Sequence, residues 1–139
     1  MSQHNQIRQS VINDLSTEIS DIKAWFNGYP AVIDVGDADT ESELPAVAVY
    51  LDVGETTGQD FENEEWTATL HVEIFEHATN DLEPTLDAIA EKINQVIHRN
   101  YTVQNTLSEC HRLGFAYTRD DVQPWGTLDL TFTINWEDD

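Results

Sequence analysis

The sequence predicts an α+β fold: a mixed, mainly antiparallel sheet of about five strands with two or three helices packed on one face. Two helical stripes and a series of strand-like runs carry that expectation. Ile7, Val11, Leu15, Ile19 and Ile22 recur at spacings of four, four, four and three, and Leu82, Leu86, Ile89, Ile93 and Val96 form a second stripe. Each is one apolar line along a helix. The remaining apolar runs alternate like strands and follow one another in series, which is the α+β pattern.

Taken in order, the first helix is expected to stop before Gly28 and Pro30. Ala31–Asp34 reads as a short strand, and residues 35 to 44 as an acidic loop. Ala46–Leu51 is a continuous, valine-rich run that suits a strand buried on both faces. Pro45 precedes it, where a missing N–H does little harm. The triplet Pro-Ala-Val thus occurs twice, at Pro30 and at Pro45, each time as punctuation before a strand.

Residues 53 to 65, with Gly54, Gly58 and five carboxylates, read as a long loop. Thr67–Phe75 alternates cleanly, Ala68, Leu70, Val72 and Ile74 against Thr67, Thr69, His71 and Glu73. The second helix has Asn80 or Asp81 as its cap, Pro84 in its first turn and His98-Arg99 at its negative end. Residues 103–110 read as one short helix. Leu113, Phe115 and Tyr117 share one strand face. Leu128, Leu130, Phe132, Ile134 and Trp136 share another, and residues 118–126 make the turn between them.

The 139 residues fit a single domain, 1–139, and the hydrophobic fraction of 40% supplies a core. The one cysteine, Cys110, excludes an intramolecular disulfide and fits a reducing compartment. The first 25 residues lack the basic and apolar regions of a secretory signal. No run approaches the ~18–20 apolar residues of a membrane span. The expectation is a soluble intracellular protein with no membrane partner.

Charge is the dominant signal: 27 acidic against six basic side chains, a formal net charge of -21. Such a chain repels nucleic acid and repels its own copies unless salt or divalent cations screen it. A solvated acidic surface, adaptation to a salty host, a surface to which DNA must not stick, and DNA mimicry all fit this balance.

No constellation of residues points to catalysis. Asp37, Asp39 and Glu41 fall at positions one, three and five of a calcium loop, but Ser42 stands at the glycine position and Ala48 at the glutamate position. Loose binding of Mg2+ or another divalent cation is the most this loop offers. His71, Glu73 and His77 would share a strand face and offer metal-ligand chemistry, though a solvated strand face carries the same residues. Cys110-His111 are chain neighbours, and a catalytic pair normally comes from separate elements. Neither GxSxG, HExxH, a P-loop nor GxGxxG occurs. No catalytic residue, cofactor or metal site is expected.

Interface candidates are easier to name. Arg112 and Arg119 are two of only six cations, and Arg119-Asp120-Asp121 offers both signs for pairing across a seam or within the chain. Trp66 and Trp125, like Trp136, flank strand ends, where a core role and an interface anchor both fit. Phe61 lies in the 53–65 loop.

The chain resembles the tail terminator, or minor tail protein U, family of lambda-like long-tailed phages. The resemblance is carried by "WFNGYPAVID" (25–34), "ELPAVAVYL" (43–51), "EEWTATLHVEIFE" (64–76), "GFAYTRDD" (114–121), and Trp125 with "DLTFTIN" (129–135). The pieces keep the family's order from Trp25 to the C-terminus. The first acidic loop is longer than in the family, and residues 79–107 match in type more than in letters. The resemblance implies a structural virion protein, not an enzyme. It implies a hexameric ring that caps the tail tube, halts tube polymerisation and offers a head–tail joining surface.

The implied partners are further copies of the chain, the major tail tube protein and head-completion or neck proteins. Phage DNA would pass through an acidic bore without specific binding, and the 53–65 loop would be a partner-binding arm. The implied place is the neck end of the virion tail, after assembly in the host cytoplasm. Alternatives are another neck or head–tail adaptor, or an acidic binding module that mimics DNA or binds cations.

Overall fold

The computed structural model describes residues 2–56, 64–119 and 123–138. Its elements are α1 (Ser2–Glu18), β1 (Ala24–Asn27), β2 (Ala46–Thr56), β3 (Glu64–His77), α2 (Leu82–Val96), β4 (Leu107–Arg119) and β5 (Trp125–Asp138). The strands form one five-stranded sheet in the order β1-β2-β3-β5-β4. β1 runs parallel to β2; β2–β3, β3–β5 and β4–β5 are antiparallel. This is the mixed, mainly antiparallel sheet that the sequence predicts. None of the described helices is long and apolar enough to cross a membrane.

Alternation sorts the side chains into two faces. Val47 and Val49 of β2, Ala68–Ile74 at every second position of β3, and Leu128–Trp136 at every second position of β5 enter one core with Ile7, Val11 and Leu15 of α1 and Leu86, Ile89 and Ile93 of α2. Both helices therefore lie on that face. The opposite face is covered at one end by Ile33 and Leu44, which pack on Ala46, Ala48 and Phe75. Elsewhere it carries the polar half of each alternation.

Five local expectations change. α1 ends at Glu18, well before Gly28, with Ile19 N–H bonded to the Leu15 carbonyl. Ile19 and Ile22 stay buried although they have left the helix. The short strand is Ala24–Asn27, not Ala31–Asp34. It docks in register with Ala46–Val49, and Gly28, at φ 106°, turns the chain away while its N–H bonds the Val49 carbonyl at 2.8 Å.

The expected 53–65 loop is partly strand. β2 continues to Thr56 and β3 begins at Glu64, with Glu55 opposite Thr67 and Thr56 opposite Trp66. A ladder needs only backbone partners, so glycine and carboxylates did not prevent it. Residues 57–63 lie outside the described ones. The expected helix at 103–110 is a turn followed by β4. Val103, Gln104 and Asn105 all have positive φ, which ends any helix. Val103, Leu107 and Cys110 are buried together. Their spacing of four and three imitates a helix because an irregularity between Leu107 and Glu109 puts an extra residue into the strand.

A second bulge between Arg112 and Gly114 breaks the alternation that grouped Leu113 with Phe115 and Tyr117. The cap of α2 is Asp81, as expected in position, but its side chain makes no capping hydrogen bond.

Candidate functional site

The interface candidates do not converge on one spot. Trp66 stands opposite Trp136 at one end of β3, and Trp125 opposite His77 at the other, roughly 35 Å apart along the strand. Trp66 packs on the main core and its Nε1–H is buried with no described acceptor. Trp125 is half-buried against the Phe75 cluster. Both therefore serve packing, and each leaves part of its ring at a sheet end. Phe61, Asp120 and Asp121 lie outside the described residues.

Arg112 and Arg119 share β4, the outermost strand on its side of the sheet. Arg119 Nε–H donates to Glu83 Oε2 of α2 at 2.5 Å, and its guanidinium lies 5.0 Å from the Tyr117 ring centroid. That contact holds the Glu83 carboxyl below its usual range and raises Arg119. The Tyr117 hydroxyl donates to Asp87, which pushes the phenol above its usual range. Arg112 donates to the Asn94 carbonyl at 3.3 Å. So β4 is tied to α2 by polar side chains, and the Arg119 pair is made within the chain.

Between α2 and β4 runs an open groove of about 500 Å³, floored by Ala90, Phe115, Leu128 and Leu130 and rimmed by Asp87 and Arg112. Leu113 and Phe115 are 62% and 70% exposed. A long edge strand with bare apolar side chains presents unpaired backbone and apolar surface together. The sequence grouped these two residues with Tyr117 on one strand face; the structure shows them exposed, next to the Arg112–Gly114 bulge and on the last described strand of the sheet.

The polar face of the sheet is internally satisfied for the most part. The Tyr50 hydroxyl donates to Glu73 Oε1 at 2.7 Å, and the Tyr50 ring stacks on His71 with 4.5 Å between centroids. His71 Nδ1–H donates to Asp129 Oδ2 at 2.8 Å, and its Nε2 lies 3.7 Å from Asp52. Burial, and the bond to Glu73, push the Tyr50 phenol well above its usual range. Burial likewise raises the Asp129 carboxyl, with the nearby Glu73 charge adding to it and His71 opposing. Asp129 Oδ1 is buried with no described partner. His77, the third member of the metal-like set, is engaged by Ser42 Oγ at 3.0 Å. His71, Glu73 and His77 are thus spent on separate partners.

Cys110 is free and buried, and burial pushes its thiol up to about 11, which makes it a poor nucleophile. The acidic segment is built by its own carboxylates. Asp37 Oδ1 accepts from the N–H groups of Asp39 and Thr40 and from the Thr40 hydroxyl. Asp34 Oδ1 accepts from Gly36 N–H, and Glu43 Oε1 from Asp34 N–H at 2.7 Å. Of the residues set at calcium-loop spacing, Asp37 acts as a turn acceptor.

Comparison with known proteins places the chain in a family. The family model of phage minor tail protein U matches residues 2–136. The tail tube terminator protein of Escherichia phage lambda is 35% identical over 137 residues, covering 96% of this chain and 98% of the relative. That of Escherichia phage N15 is 30% identical over 135 residues, with the same coverage. A chain from the solved virion of a native gene transfer agent particle shares the fold, with a TM-score of 0.57 at 13% identity over 94% of both chains. The chain belongs to the phage minor tail protein U family.

Proposed function

We propose that this protein is a tail tube terminator: copies of it form a hexameric ring on the end of the tail tube, stop further tube growth and present a joining surface to head-completion proteins. The observation that carries the reading is the match along nearly the whole chain to a family whose relatives in two phages bear that name. The geometry is in keeping. The conspicuous surface feature is an edge strand with bare apolar side chains, and the polar side chains of the sheet face are mostly tied to one another.

The protein has a structural role and catalyses nothing. It sits at the neck end of the virion tail after assembly in the host cytoplasm. Its net charge of -21 keeps passing DNA from adhering by like-charge repulsion. A deletion phage tests this. Without the protein, electron microscopy is expected to show overlong, headless tails. Tails of normal length that lack heads would mark it as an adaptor instead, and normal infectious particles would refute both readings.

A further inference from the structure

We propose that the two edges of the sheet are the two halves of one subunit seam: β4 of one copy pairs antiparallel with Tyr50–Thr56 of the next, so that a ring closes one continuous sheet. The proposal takes the ring under Proposed function as its premise and names the surface that builds it.

Among the described residues both edges are open. β1 covers only Ala46–Val49 of β2, and the Gly28 N–H to the Val49 carbonyl is the last backbone bond on that side. From Tyr50 to Thr56 the outer backbone of β2 has no described backbone partner. The same holds for Ser108–Arg119 of β4, whose other side is paired with β5. Three of the five large exposed apolar side chains lie on these two strips: Leu113 and Phe115 on β4, and Val53, 73% exposed, on β2. A fourth, Tyr29, packs edge-on against Tyr50 where the β2 strip begins.

Direction, charge and shape all agree. β2 and β5 run one way, β3 and β4 the other. A neighbour rotated about an axis along the strands therefore brings its β2 antiparallel to β4. β4 is the one described strand with more Lys and Arg than Asp and Glu: Arg112 and Arg119 against Glu109. The β2 strip offers Asp52 and Glu55 and no cation. In a chain of charge -21, this is the pairing that repulsion opposes least.

The β2 strip carries one bulge, at Val53, and the part of β4 that would face it carries one, at Leu113. A bulged edge is a poor template for indiscriminate pairing. With both bulges left unpaired, Thr56 faces Arg112, Gly54 faces Phe115, Leu51 faces Tyr117 and Asp52 faces Ala116. Every pair then lies on one face: Leu51, Phe115 and Tyr117 on the helix side, Asp52 and Ala116 on the polar side. The bare Phe115 ring covers a glycine, and the α2–β4 groove receives the neighbour's helix-side residues. β1 closes the slot beyond Tyr50, so the ladder ends there.

At the level of the seam each copy contributes β2, β3, β5 and β4, so six copies at ~4.8 Å spacing give a circumference of roughly 115 Å, a ring roughly 37 Å across between backbones. Such an annulus leaves room for a double helix.

Disulfide trapping tests the seam. In a Cys110→Ser background, Asp52→Cys and Ala116→Cys are combined, and rings are assembled and oxidised. A covalent ladder that climbs to the ring size is expected, with neither single variant passing a dimer. Phe115→Lys, at an exposed site, is expected to keep the monomer's circular dichroism and weaken association about thirtyfold or more. Rings that form normally but yield no ladder, or that tolerate Phe115→Lys, overturn the seam and leave the terminator reading intact. Wild-type protein that never forms a ring overturns the seam and the ring together.

Discussion

Asp129 shows how one residue can work against the fold that needs it. Its carboxyl is side by side with His71 and accepts that ring's N–H, yet burial and Glu73 raise it above the usual carboxylate range. A carboxyl raised by folding is at its most favourable when protonated. Its contribution is fully present below the ordinary value near 3.8 and is lost as pH rises through the folded value. Asp129→Asn keeps an oxygen for His71 and removes the desolvated charge. The variant is expected to be more stable than wild type in urea at neutral pH, with the gap closing below about pH 4. A gap that widens on acidification would contradict this account.

Among elements, those with a two-sided environment were legible. β3 and β5 alternate because one face meets the helices and the other is polar, and α2 repeats because only Leu86, Ile89, Ala90 and Ile93 are buried. Leu86 is fully buried beneath α2. Leu86→Ala is expected to cost about 2–5 kcal/mol in chemical denaturation, and a loss under 1 kcal/mol would mean that α2 is loosely held. β1 was not legible: four residues leave no period to count, and their strand character comes from lying parallel to β2. β4 misled because bulges at two places disturb its alternation, so Leu107 and Cys110 fall at helical spacing. The surface proposed as the seam was half-legible. Arg112 and Arg119 stood out by rarity, whereas Leu113 and Phe115 showed only as members of one strand face, since no local pattern reveals that a strand will be the last of its sheet.

For the whole molecule the ruling quantity is charge. Copies at -21 each approach one another against repulsion that reaches about 10 Å at 0.1 M salt and about 3 Å at 1 M. Ring formation is therefore expected to rise with ionic strength, and further with Mg2+ at matched ionic strength, as read by sedimentation velocity. Association that falls as salt rises would mean that cross-seam ion pairs outweigh the general repulsion. Acid is a different lever from salt. Hydrogen bonds from Asp39 and Thr40 hold the Asp37 carboxyl below its usual range, so its support for the turn is present above the ordinary value and fades as pH falls through the folded one. Ions quiet these negative groups and leave them as acceptors, but protons quiet them by dismantling the bend they tie. Neutralising the surface by titration would thus sacrifice the shape of the segment, whereas an electrolyte would spare it.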